Sequence, residues 1–193
     1  MTNQPEDRLS HEEEYFMQEE QRLLAKMREQ ARLEKERQEM SGAAGISDEE
    51  ILQGLQRLGF DAETVSLAHL VPLLQVAWAE GNVTKQERAT ILAEAVERGV
   101  KQDSIAYERL HQWLRYCPTD EFFSGTLGVL RSILATMPEE EGASLRQELV
   151  EKCLRVAASS GGFFGLGRKM SDVESEVVDH IREELSGGAG SGS

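Results

Sequence analysis

Five oxygen-bearing side chains stand beside two helical turns: Glu80, Asn82 and Glu87 in "AEGNVTKQE", and Asp172 and Glu174 in "KMSDVESEVV". Carboxylates and amide oxygens grouped this way are the ligands a hard divalent cation such as calcium takes. A metal-responsive sensor is therefore one reading of the chain. An EF-hand needs a twelve-residue loop of alternating oxygens, and neither turn has that spacing. The competing reading is that these acids start helices, where carboxylates favour the positive N-terminal end.

Other chemistries have less to build on. Glu108 and His111 form one Glu-x-x-His pair, but a di-iron bundle needs two. "HEEEY" misses the second histidine of a zincin helix. There is no Gly-x-Ser-x-Gly elbow, and the two cysteines and four histidines are scattered. The chain is expected not to be an enzyme and to carry no cofactor. Cys117 and Cys153 form no CxxC pair, so both are expected to be reduced thiols at core or near-core positions. In "SSGGFFGLGRKMSD", a phosphate loop can be laid on Gly162 to Gly167, but Arg168 then holds the lysine place and Lys169 the Ser/Thr place. The two phenylalanines there, Phe163 and Phe164, either tuck over a hairpin or stay outside as a contact patch.

The elements that must position these residues are helices. Sustained period-two alternation is absent, so no strands are expected. Helical segments are predicted over 47–58, 64–80, 84–98, 104–116, 120–136, 139–159 and 172–185. Gly59 and Gly99 stand as C-terminal stops, Thr119 as a cap, and Pro138 at a first turn. Pro72 either kinks the second segment or begins a new helix near Val71. Ser47 with Glu50, Thr84 with Glu87, and Ser171 with Glu174 have capping-box spacing.

Two of these segments repeat. Leu74, Val76, Ala77 and Gly81 match Leu154, Val156, Ala157 and Gly161 at an offset of 80. After the glycine, Val83, Thr84 and Glu87 match Met170, Ser171 and Glu174 at an offset of 87, so the second copy is the first with seven residues inserted. Each copy is an apolar helix ended by a glycine, a turn, and a capped helix with an apolar staple before the cap. "VAWAEGNVTKQER" and "GGFFGLGRKMSDVESEVV" resemble the two hairpins of TerB-like domains, named from bacterial tellurite-resistance proteins. The resemblance covers about residues 47–185, and Ser160 departs from it where Glu80 stands in the first copy. It implies an all-helical fold, a bacterial setting and a role near membrane or metal-stress systems.

Residues 1–40 form a separate, charged helix by propensity, with no Gly or Pro between Asp7 and Met40. Ser10 and Glu13 have capping-box spacing, and Glu19/Arg22, Glu29/Arg32 and Glu34/Arg37 are spaced to pair along it. Leu9, Phe16 and Leu23 are seven apart, but the other position of that heptad holds Glu12, Glu19 and Lys26, which spoils a coiled-coil seam. The helix reads either as a largely solvated single helix or, through Tyr15, Phe16, Leu23, Leu24 and Met27, as a docking segment or tether. "SGAAG" at 41–45 reads as a linker within 41–46, and the tail 186–193 as flexible Gly/Ser chain.

The expected architecture is all-α: a compact bundle of about seven helices containing two related hairpins, preceded by the long charged helix. The formal charge of −14 repels nucleic-acid phosphates. No apolar run reaches the roughly 20 residues of a membrane helix, and the start lacks a secretory signal, so a cytoplasmic location is expected. The partners expected are proteins; the apolar faces that fill one bundle could equally be shared by two copies.

Overall fold

The structure is a computed structural model that describes residues 5–159 and 170–187, with side chains from Glu14 onward. Among the described residues there are eight α-helices, one short 3-10 helix and no strand. The long helix α1 covers Pro5–Ala44, followed by α2 (Glu49–Arg57), the 3-10 helix (Val65–Leu70), α3 (Val71–Ala77) and α4 (Lys85–Glu97). Then come α5 (Ile105–Arg115), α6 (Asp120–Ala135), α7 (Glu139–Ser159) and α8 (Asp172–Leu185). The all-helical bundle behind one long N-terminal helix is the architecture expected.

The short helix α3 is the centre. Six of its seven residues are buried, Val71, Pro72, Leu73, Leu74, Val76 and Ala77, and a helix apolar on all sides belongs inside a bundle. It packs against α4, α6, α7 and α8. Pro72 begins this helix rather than kinking a longer one, because at the first turn its missing N–H costs nothing. The 3-10 turn before it takes the place of the first half of the predicted 64–80 segment.

The repeat is visible in the packing. The hairpins α3–α4 and α7–α8 bring α3 against α7, and the matched pairs Val76/Val156 and Ala77/Ala157 are all buried. Gly81, four residues past the end of α3, turns the chain at φ 81°, a left-handed conformation that glycine adopts at no steric cost. Val83 and Met170, the residues before the two caps, pack on the core, but the fourth helical positions that a staple would join are Arg88 and Ser175, which are not apolar.

The N-terminal helix departs from expectation at both ends. Its backbone is helical from Pro5, which places Ser10 inside the helix rather than at its cap. At the other end the helix runs through the expected linker and stops at Gly45, whose φ is 69°. Met40 is fully buried, and that apolar anchor outweighs the roughly 1 kcal/mol that Gly42 costs inside a helix. Gln56 of α2 fastens the same end: its Nε2 donates to the Leu33 carbonyl at 3.1 Å, and its Oε1 accepts from Arg37 Nη1 at 2.9 Å. Arg37 also pairs with Glu49 at 2.6 Å, in place of the expected pairing with Glu34. The next cap lies one residue later than predicted, on Asp48, whose carboxylate accepts from the Glu50 and Ile51 amides.

Candidate functional site

Thr84 and Ser171 start α4 and α8 with complete capping boxes. Thr84 N donates to Glu87 Oε2 at 2.7 Å while Glu87 N donates to Thr84 Oγ1 at 3.2 Å. The second copy gives 2.8 and 3.2 Å between Ser171 and Glu174. Both glutamates are buried, at 3% and 1% exposure. Burial pushes the Glu87 carboxyl up; the Thr84 hydrogen bonds oppose this, and the charges of Glu174 and Glu80 add to it. The two hairpins thus bring their capping acids within electrostatic reach of each other.

These carboxylates are committed to backbone amides. Glu80, Asn82 and Asp172 are exposed, and among the described residues no three His, Cys, Asp or Glu side chains converge as a metal group. The structure therefore does not bring the five predicted ligands together. Glu108 and His111 of the single Glu-x-x-His pair are both exposed on α5. Phe163 and Phe164 lie outside the described residues.

A charged cluster that the sequence reading missed joins α4 to α7. Lys152, 9% exposed at its side chain, pairs with the Glu94 carboxylate and lies 2.8 Å from Glu148. Arg98 pairs with Glu148 and lies 3.4 Å from Glu94, and Arg155 is 3.7 Å from Glu94. Burial opposes ionisation of Glu94, but the Lys152 and Arg98 contacts outweigh it and hold the carboxyl below its ordinary value. Glu148 is held low first by its bond to Lys152. The signal for this cluster was Lys152 itself, one position before Cys153 on the face that also carries Val156 and Ala157.

Beside the cluster lies a cavity of about 470 Å³, walled by Leu55, Val65, Leu130, Leu134 and Leu149 and, on its polar side, by His69, Arg98 and Lys152. Its size is that of small-molecule pockets, roughly 300–1,000 Å³, but its charged groups are already paired with one another. Burial, with the Arg98 and Lys152 charges, lowers the His69 imidazole to about 4, so it is neutral near pH 7. Its buried Nε2 has no hydrogen-bond partner. Burial pushes the Cys153 thiol up to about 12, and burial together with the Asp120 charge also raises Cys117. Cys117 is exposed, against the expectation of a core or near-core position.

The predicted docking residues share one free stretch of α1. Tyr15, Phe16, Leu23, Leu24 and Met27 are each 44–68% exposed, and Met17 adds a sixth apolar side chain at 58%. Coverage by the bundle begins only at Leu33 and continues at Glu36, Arg37 and Met40, one face of the helix. No helix among the described residues is long and apolar enough to cross a membrane. Compared with protein-family models, curated proteins and solved structures, the chain matches none of them.

Proposed function

We propose that the chain is a non-enzymatic protein-interaction or scaffold module of TerB-like type, acting in the cytoplasm of a bacterial cell within a stress-response system. The resemblance of the two hairpins supports the TerB-like part of this reading. The observation that carries the interaction part is the free stretch of α1. Six large apolar side chains stand exposed there on a helix whose other end is fastened to the bundle by Met40 and Gln56. Large apolar side chains grouped on an exposed surface are candidate contact sites. A helix presenting apolar anchors at helical spacing is a standard way to engage a partner.

The test is affinity capture from the native cytoplasm with three forms of the full chain: unchanged, carrying Tyr15→Ser, Phe16→Ser and Leu23→Ser together, and carrying Phe163→Ser with Phe164→Ser. The first variant is expected to lose its specific partners. If both variants retain every partner, the interaction surface lies elsewhere.

A further inference from the structure

We infer that the free stretch of α1 pairs with the same stretch of a second copy, antiparallel, so that the module is a homodimer joined through its projecting helices. This rests on the interaction reading above and names the partner. The first observation is polarity. Residues 5–20 carry seven acids and one base, whereas 21–37 carry six bases and three acids. A parallel, in-register pair sets acid against acid and base against base, while an antiparallel pair sets each acidic half against the other copy's basic half.

The second observation is spacing. Phe16, Glu20, Leu23 and Met27 lie on one face with steps of four, three and four, a pattern that reads the same from either end. Antiparallel alignment therefore places Phe16 opposite the partner's Met27 and Leu23 opposite the partner's Glu20. Met17 and Leu24 widen the stripe on one flank, and on the other Glu19 comes beside the partner's Lys26. This seam differs from the heptad of Leu9, Phe16 and Leu23, which fails because Glu12, Glu19 and Lys26 fill its second position. Glu20 is the polar member of the seam and lies opposite the partner's Leu23.

The third observation is room. The stripe is exposed from Tyr15 to Met27, and the bundle does not reach α1 until Leu33. In the antiparallel register the partner's Leu33 lies beside Ser10, so the two bundles sit at opposite ends, their attachment points about 35 Å apart. A lipid surface fits less well, because helices that lie on membranes carry Lys and Arg on their polar face, and residues 12–20 carry five glutamates with no base.

Sedimentation equilibrium of the full chain should give twice the 21.5 kDa chain mass, and X-ray scattering should show two bodies separated along a rod. The variant carrying Phe16→Glu and Leu23→Glu should be monomeric. Its near-ultraviolet signal from the Phe60, Trp113 and Phe122 cluster should be unchanged, which shows the bundle still folded. Raising the salt to about 1 M, where screening shortens to about 3 Å, should weaken the dimer roughly tenfold. A monomer at all concentrations, a dimer indifferent to the double substitution, or scattering from two adjacent bodies would overturn the inference. So would a monomer that binds vesicles of anionic phospholipid through the same residues. If the chain is monomeric yet captured partners still depend on Tyr15, Phe16 and Leu23, the interaction reading stands and only the second copy is rejected.

Discussion

His69 and Lys152 are the residues whose environment differs most from that of a surface side chain. The imidazole takes its proton at about 4 in the fold and near 6.5 in an ordinary setting. Between those values the unfolded chain binds more protons than the folded one, so stability falls as pH drops through that window. Urea titrations from pH 7 to 4 should show this loss, and His69→Gln should flatten it. Below about 4.5 a second loss is expected from Glu94 and Glu148, whose folded carboxyls ionise more readily than unfolded ones. Their contribution is complete above the unfolded value and disappears as pH falls through the lower folded values. Lys152→Met strands the Glu94 carboxylate at 7% exposure, with Arg98 and Arg155 as more distant partners, and should cost about 3 kcal/mol. Replacing Glu94 and Lys152 together by leucine should recover most of that cost, because no uncompensated charge is left inside. Denaturant midpoints of the two variants distinguish the outcomes.

Between elements, Gly142 and Gly125 leave little room for a side chain. A Cβ on Gly142 would stand 2.8 Å from the Leu134 carbonyl oxygen, a backbone atom at the end of α6 that cannot step aside. Gly142→Ala should therefore force α7 away from α6 and cost about 1–3 kcal/mol. A Cβ on Gly125 would come 2.6 Å from Leu58 Cδ2, the mobile end of a side chain. Gly125→Ala should cost less than the Gly142 change in the same thermal melts. On α1, Met40→Ala should cost about 2–5 kcal/mol, whereas Phe16→Ala should leave the bundle's melting unmoved. This difference marks where the helix joins the bundle. Most elements were legible in the sequence: the capping boxes at Thr84 and Ser171, though not those at Ser10 and Ser47, the stops at Gly59 and Gly99, and all of α4 to α8 follow from cap chemistry and local pattern. The end of α1 was not, because Ser41 and Gly42 look like linker chain until Met40 is seen buried. The 3-10 turn before Pro72 and the Lys152 cluster also escaped, since each depends on neighbours distant in sequence.

At the scale of the molecule, a formal charge of −14 acts on the folded state as self-repulsion. Salt added from low ionic strength to about 0.5 M should screen it, raising Tm by roughly 2–4 °C for each kcal/mol relieved. Calorimetric scans across a salt series check this, and a flat response would show that self-repulsion does not limit the stability of the fold. The metal reading was legible as a set of residue types but not as a place, because Glu87 and Glu174 each accept a backbone amide in a capping box while Glu80, Asn82 and Asp172 face solvent. The apolar residues proposed for docking were legible as types and all stand exposed along one stretch of α1, since a single helix fixes their arrangement without help from the rest of the chain.

The turn of the first hairpin lies between α3, which ends at Ala77 with the Trp78 amide still bonded back to the Leu74 carbonyl, and a helix that starts with its own capping box. Neither end relies on the residues between them, so the connection only has to close. Closure entropy grows slowly, by about 0.6 kcal/mol for each doubling of loop length. The hairpin thus has an insertion point at which chain can be added at small thermodynamic cost, and the seven extra residues of the second copy occupy the corresponding position. New sequence, and with it new recognition, can be acquired there while the packing of α3 against α7 stays as it is.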